Sequence, residues 1–126
     1  MFGEASQAFA EYVSVRPNQV ARKPANLTFE QAATIPLAGA TAWQAWDRAG
    51  LQPGQRVLVN GASGGVGHFA VQIARALGAQ VTAVCSGGNA EMMQSLGAEH
   101  VIDYRESDFT TLGQRYDVIF DAVITH

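Results

Sequence analysis

The chain has one cysteine, few charged residues and no excess of basic residues, and each shortage excludes a class of protein. Cys85 is the only cysteine among the 126 residues, so neither an internal disulfide nor a zinc cage of cysteines can form. We expect a reducing, cytoplasmic setting, with Cys85 as a small buried hydrophobe in a strand. Charged residues make up 15% of the chain and the formal net charge is −3, which predicts no nucleic-acid partner and no anionic membrane partner.

Long apolar runs and an export signal are also missing. The apolar runs are far shorter than a membrane-spanning helix requires, and residues 1–4 contain neither a basic region nor an apolar signal core. Hydrophobic residues nevertheless make up 48% of the chain, a share typical of globular proteins. The composition therefore predicts a soluble, folded protein with no membrane partner.

The first third of the chain gives weak signals of regular structure. Residues 1–27 look irregular, with one predicted strand at 9–15, where β-prone residues partly alternate. Thr28 and Gln31 have the spacing of a capping box, which predicts a short helix that ends near Pro36. A second helix is predicted from Pro36, with Gly50 as its left-handed cap.

From Arg56 onward, strands and helices alternate. Short apolar strands are predicted around 57–59, 81–84, 101–102 and 118–120, with amphipathic helices after the first and second. This order predicts an α/β protein with a doubly wound parallel sheet and right-handed crossovers. Such a domain usually has about six strands, so the sheet is expected to be partial and the chain to be a truncated part of a longer protein. Its last strand would be an open edge that could pair with a second copy.

A run of small residues follows the first buried strand at once. The run extends from Gly61 to Gly67. Within it, the G-x-G-x-x-G pattern, with alanine in the first place, comprises Ala62, Ser63, Gly64, Gly65, Val66 and Gly67. We assign the tight turn to Ala62, the close approach of a pyrophosphate to Gly64, and close helix–strand packing to Gly67. Backbone N–H groups at the start of the following helix would then bind the anion. The alternative is a tight turn without a ligand; a P-loop is excluded because no Lys-Ser or Lys-Thr closes the run.

The end of the second strand bears on which dinucleotide binds. An NAD site places Asp or Glu there, about 20 residues after the glycines, to bind the ribose diol. This sequence has Ser86, Gly87, Gly88 and Asn89 instead. Without a carboxylate, and with Ser86 and Asn89 as hydrogen-bonding groups, the loop predicts NADP(H). Arg105 could supply a positive charge from beyond the third strand, or it could be an ordinary exposed loop residue.

Several segments occur in order along nearly the whole chain and together carry a family resemblance. They are AFAEYV at 8–13, AATIP at 32–36, GATA at 39–42, VLVNGASGGVG at 57–67 and LGAEHVIDY at 96–104. The sequence resembles the medium-chain dehydrogenase/reductase superfamily, which includes zinc-type alcohol dehydrogenases, and most closely its zinc-independent NADPH:quinone oxidoreductase-like branch. The resemblance implies a partial Rossmann fold, residues 36–126, preceded by the end of a GroES-like β-rich catalytic domain, residues 1–35.

The resemblance also implies roles for individual residues. Ser63 to Val66 match the family's pyrophosphate loop, and Ser86 matches the residue that meets the adenosine 2′-phosphate. Tyr104 matches a residue that packs against the adenosine end, although a strand-end aromatic could merely cover the sheet edge. Thr41 matches the threonine near the nicotinamide, and a helix hydroxyl bonded to its own backbone is the alternative. Val123 falls on the nicotinamide side, whereas residues 124–126 depart from the usual glycine.

One position argues against catalytic zinc. Zinc-dependent members place a cysteine four residues before the threonine matched by Thr41, and here that residue is Leu37. A catalytic zinc site needs three protein ligands. His68, His100 and His126 offer no replacement, since each is expected to be exposed rather than a ligand. We therefore predict no metal.

The implied activity of the parent protein is NADPH-dependent hydride transfer to quinones or α,β-unsaturated carbonyls. No catalytic acid can be named from these residues. Two alternatives stay open: a cofactor-binding member without catalysis, such as a sensor or a crystallin-like protein, and an inactive truncated product. We expect the parent protein to be a homo-oligomer, a dimer.

Overall fold

The computed structural model describes residues 1–123 and divides the chain into two compact units, Met1–Ala40 and the part from Thr41 onward. In the first unit, strand β1 (Phe2–Gly3) pairs antiparallel with strand β2 (Val20–Ala21). A 3-10 turn at Pro17–Gln19 precedes β2. The division falls a few residues after the predicted boundary between residues 35 and 36. That the first unit ends a GroES-like domain stays a prediction.

The strand predicted at residues 9–15 is wrong. None of these residues is in a strand, and the rings of Phe9 and Tyr12 are exposed. A strand needs a hydrogen-bonded partner, and local β-propensity does not supply one. The paired residues lie on either side of this segment instead, in β1 and β2.

The predicted capping box is confirmed. The Gln31 amide donates to Thr28 Oγ1 at 3.1 Å, and the Thr28 amide donates to Gln31 Oε1 at 3.0 Å. Helix α1 (Phe29–Ala33) follows, and Pro36 opens helix α2 (Pro36–Ala49), as predicted. Gly50 ends α2 with φ of +64°, the left-handed conformation that glycine adopts at little cost.

The second unit is a parallel sheet with helices between its strands, which confirms the predicted α/β fold. Its strands are β3 (Arg56–Asn60), β4 (Gln80–Cys85), β5 (His100–Asp103) and β6 (Val118–Asp121), in the order β5-β4-β3-β6. Helix α3 (Gly65–Ala76) joins β3 to β4, and helix α4 (Ala90–Ser95) joins β4 to β5. The chain thus moves outward from β3 to β5 and then returns to place β6 on the other side of β3.

The core of the second unit lies between this sheet and its helices. The three central residues of β3, at 57–59, have no exposed surface, as expected for a strand covered on both faces. Small residues of α3 (Ala70 and Ala74) are also fully buried, which lets the helix lie close to the sheet. Within residues 1–123, no helix combines the length and the apolar character needed to cross a membrane.

Trp46 anchors α2 in this core. Its side chain is 1% exposed, its indole Nε1 donates to the Ala70 carbonyl at 3.0 Å, and its ring centroid lies 5.0 Å from that of Phe120. We expect W46F to lower the free energy of unfolding by about 1–2 kcal/mol, because it removes a buried hydrogen bond and leaves a small void. Urea unfolding checks this, with W43F as the control, since Trp43 is on the same helix and 52% exposed. Equal effects of the two substitutions would contradict the assignment.

Candidate functional site

The carboxyl ends of the four parallel strands lie at one edge of the sheet, and all the predicted site residues except Thr41 follow these strands in the chain. The Ala62 amide donates to the Val84 carbonyl at 3.0 Å, and the Tyr104 amide donates to the Cys85 carbonyl at 3.2 Å. These bonds hold the loop after β3 on one side of the end of β4, and they hold Tyr104, the residue after β5, on the other side of β4. The order of the strands reverses between β3 and β6, and ligands of open α/β sheets bind at such a point.

Gly61 supplies the left-handed backbone conformation in the tight turn after β3, the turn in which Ala62 also lies. Gly61 has φ of +72°, which a residue with a side chain rarely adopts, and a Cβ added there would lie 2.7 Å from Val123 Cγ2. Ala62 follows Gly61 and is fully buried. In the sequence, Gly61 was recognised as part of the glycine-rich run but was assigned no role of its own, although its place directly after the strand was a usable signal.

Helix α3 begins with backbone N–H groups that have no acceptor among the described residues. Within residues 1–123, the amides of Gly65, Val66 and Gly67 have no acceptor, whereas the next amide, that of His68, donates to the Gly64 carbonyl at 3.0 Å. A Cβ added at Gly65 would meet no other part of the described chain within 4 Å. The start of α3 is therefore open to an anion and carries the positive end of the helix dipole.

Gly67 has the packing role that the sequence predicts. A Cβ added there would lie 2.1 Å from the Gly61 carbonyl oxygen and 2.8 Å from the Ala62 Cα. Both are backbone atoms of the turn, so they cannot move aside as a flexible side chain could. The absence of a side chain at residue 67 lets the helix start directly against the turn that precedes it.

The side chain of His68 contacts the backbone of the glycine-rich run and is half-buried rather than exposed as expected. Its Nδ1 lies 2.9 Å from the Gly64 carbonyl oxygen. His100 is exposed, as expected, and His126 lies outside the described residues, as does the predicted departure at 124–126. Within residues 1–123, no three His, Cys, Asp or Glu side chains are grouped so that they could hold a metal ion.

Two side chains of the loop after β4 are hydrogen-bonded to each other. Asn89 Nδ2 donates to Ser86 Oγ at 3.0 Å, so the two residues predicted to meet the adenosine end lie together. Tyr104, the first residue after β5, is 57% exposed. The Arg105 guanidinium lies 5.8 Å from the centroid of the Tyr104 ring. The roles predicted for these residues stay predictions, while their position at the carboxyl edge follows from the sheet.

Cys85 is the last residue of β4 and is buried, as predicted from its apolar habit. Burial raises the pKa of its thiol, and the neighbouring carboxylate of Asp103 raises that pKa further. A thiol with a raised pKa is a poor nucleophile at neutral pH, so Cys85 is suited to a packing role.

Thr41 and Leu37 lie on α2, and both side chains are exposed. The predicted role of Thr41 near the nicotinamide stays a prediction.

The contact between Gly87 and Asp103 was missed by sequence reasoning, because that reasoning considered only carboxylates that follow β4 itself. The register of the sheet pairs Cys85 with Asp103 and so brings a carboxylate from β5 to the loop after β4.

Comparison with known proteins agrees with this geometry. The sequence family described as "Zinc-binding dehydrogenase" matches residues 65–126. A crystal structure of an NAD-dependent alcohol dehydrogenase superposes with a TM-score of 0.77 at 38% identity, over 89% of this chain and 35% of that one. Together with its sequence motifs, these matches confirm the predicted resemblance to the medium-chain dehydrogenase/reductase superfamily, to one part of which the chain corresponds.

Within the superfamily, the chain is similar to quinone and enone reductases. It is 41% identical over 118 residues to a 2-methylene-furan-3-one reductase of Solanum lycopersicum, covering 92% of this chain and 30% of that protein. The quinone oxidoreductase of Thermus thermophilus, solved also in complex with NADPH, has a TM-score of 0.72 and 40% identity over 77% of this chain and 33% of its own. The chain thus spans about a third of the length of these relatives.

Proposed function

We propose that the second unit binds the pyrophosphate of NADP(H) at the turn and helix start formed by residues 61–67. The observation that carries the proposal is the set of amides at Gly65, Val66 and Gly67 that lack an acceptor within residues 1–123. They lie at the positive end of α3, and a Cβ added at Gly65 would meet no other part of the described chain within 4 Å. Ser63 is half-buried at the same turn and could add a hydroxyl donor. Such an arrangement of donors suits a diphosphate.

We assign the adenosine end to the loop after β4. The Ser86 hydroxyl and the Asn89 amide lie within hydrogen-bond distance of each other and could turn toward a 2′-phosphate. The exposed ring of Tyr104 offers an apolar face for the adenosine. NADP(H) is preferred over NAD(H) in this proposal because residues 86–89 include no carboxylate.

For the protein that carries this chain, we propose zinc-independent, NADPH-dependent reduction of quinones or α,β-unsaturated carbonyls. The bound cofactor would supply the hydride. Residues 61–67 would fix the diphosphate, and Thr41 would lie near the nicotinamide, so that the chain binds and orients the cofactor. The names of two similar proteins, a quinone oxidoreductase and a 2-methylene-furan-3-one reductase, support this substrate class. Leu37, in the place of a cysteine ligand, supports the absence of zinc.

Titration of the chain with NADPH, followed by the fluorescence of the reduced nicotinamide, tests the binding proposal. We expect saturable binding that free pyrophosphate competes away. The parent protein is then assayed for NADPH oxidation with a quinone and with an enone, before and after treatment with a chelator. Turnover only with NADH and an alcohol, and only with zinc, would contradict the proposed activity; NADPH binding without turnover would favour a non-catalytic member.

Two further expectations belong to this proposal. The protein that carries this chain is expected to be cytoplasmic and to form a homodimer. A catalytic acid is not assigned to any residue of this chain.

A further inference from the structure

The carboxylate of Asp103 faces the loop after β4 from the neighbouring strand. Strands β4 and β5 pair in parallel with Cys85 opposite Asp103. Asp103 is therefore next to the start of the loop formed by residues 86–89. A Cβ added at Gly87 would lie 2.4 Å from Asp103 Oδ2. The carboxylate therefore occupies the space in which any other residue at 87 would place its side chain, and the glycine permits this contact.

The Asp103 carboxylate has no ion-pair partner among residues 1–123. Its Oδ1 accepts the Arg105 amide at 2.9 Å, a bond that orients the side chain but adds no positive charge. The Arg105 guanidinium lies over the Tyr104 ring instead, and the one ion pair of the described residues joins Arg75 to Glu99. The field of Asp103 reaches the end of β4, where it contributes to raising the pKa of the Cys85 thiol.

We propose that Asp103 is a specificity-determining residue whose carboxylate favours an unphosphorylated adenosine ribose over a 2′-phosphate. A carboxylate accepts hydrogen bonds from ribose hydroxyls and repels a phosphate dianion. Asp103 thus opposes the preference for NADP(H) that Ser86 and Asn89 confer. The positive charge of Arg105, two residues later in the chain, supports that preference. The proposal rests on the proposed function, since it assumes that the adenosine end lies at residues 86–89.

The test compares dissociation constants for NADPH and NADH in the unmodified chain, D103N and E106Q. Asn keeps an oxygen that can accept the Arg105 amide, and Glu106 is an exposed carboxylate of the same segment, which makes E106Q the charge-matched control. We expect D103N to raise the affinity for NADPH relative to NADH by about three- to tenfold, since one nearby repulsive charge is removed. E106Q should change this ratio by less than about twofold.

Two more variants test whether a change in the NADPH-to-NADH affinity ratio comes from the charge rather than from one particular substitution. D103S also removes the charge and should move the ratio in the same direction, whereas R105Q should move it in the opposite direction. Melting temperatures of all variants are recorded beside the titrations. Binding of both nucleotides with an unchanged ratio in D103N and D103S would overturn the role of Asp103 and leave the proposed function standing. Failure of the unmodified chain to bind either nucleotide would overturn the proposed function, and this inference with it.

Discussion

Replacing Gly65 with glutamate is expected to weaken NADPH binding at least about 100-fold while the fold stays intact. Gly65 is the first residue of α3, and nothing in the rest of the described chain lies within 4 Å of a Cβ built on it. The new carboxylate would reach the amides proposed to bind the diphosphate and would repel the ligand's charge. The same charge at a helix N-terminus stabilises the helix, by about 0.3–1 kcal/mol.

The opposite signs of these two effects make the experiment decisive. Fluorescence titration measures the affinity for NADPH, and thermal unfolding measures stability in the same samples. G65Q is the control, because it adds the same bulk without the charge and should weaken binding less than G65E does. An NADPH affinity of G65E equal to that of the unmodified chain would show that the nucleotide binds elsewhere.

Replacing Gly67 with alanine is expected to lower the free energy of unfolding by about 3 kcal/mol or more. The added methyl group would lie 2.1 Å from the Gly61 carbonyl oxygen, far inside the distance at which atoms repel each other. Relief requires α3 to move away from the turn, and that movement opens contacts made by fully buried Ala70 and Val71. A small change of volume therefore has a large cost.

Denaturant unfolding of G67A beside G65A provides the measurement. The two glycines lie two positions apart at the start of α3, but only Gly67 touches the turn. G65A should be neutral or slightly stabilising, since alanine reduces the conformational freedom of the unfolded chain. Similar stability losses in both variants would mean that residue 67 has no special packing role.

Much of the second unit could be predicted because its signals are local. Buried strands such as β3 are apolar through their centre, and the helices carry apolar residues at helical spacing. In the first unit, the capping box at Thr28 likewise depends on two residues three positions apart. The glycine run was predicted for the same reason, as its meaning depends only on the strand before it and the helix after it. The strand expected at residues 9–15 failed because strand formation depends on a partner, which neighbouring residues do not reveal.

The sequence by itself determined the class of the fold and the position of the glycine-rich run, since both follow from the order of side-chain types along the chain. The tertiary structure alone decided which residues meet at the carboxyl edge of the sheet. It placed the left-handed backbone conformation of the turn at Gly61, and it brought Asp103 against Gly87 through the pairing of β4 with β5. The physical reason is that register and backbone conformation depend on contacts between residues distant in sequence, whereas periodicity and capping depend on neighbours.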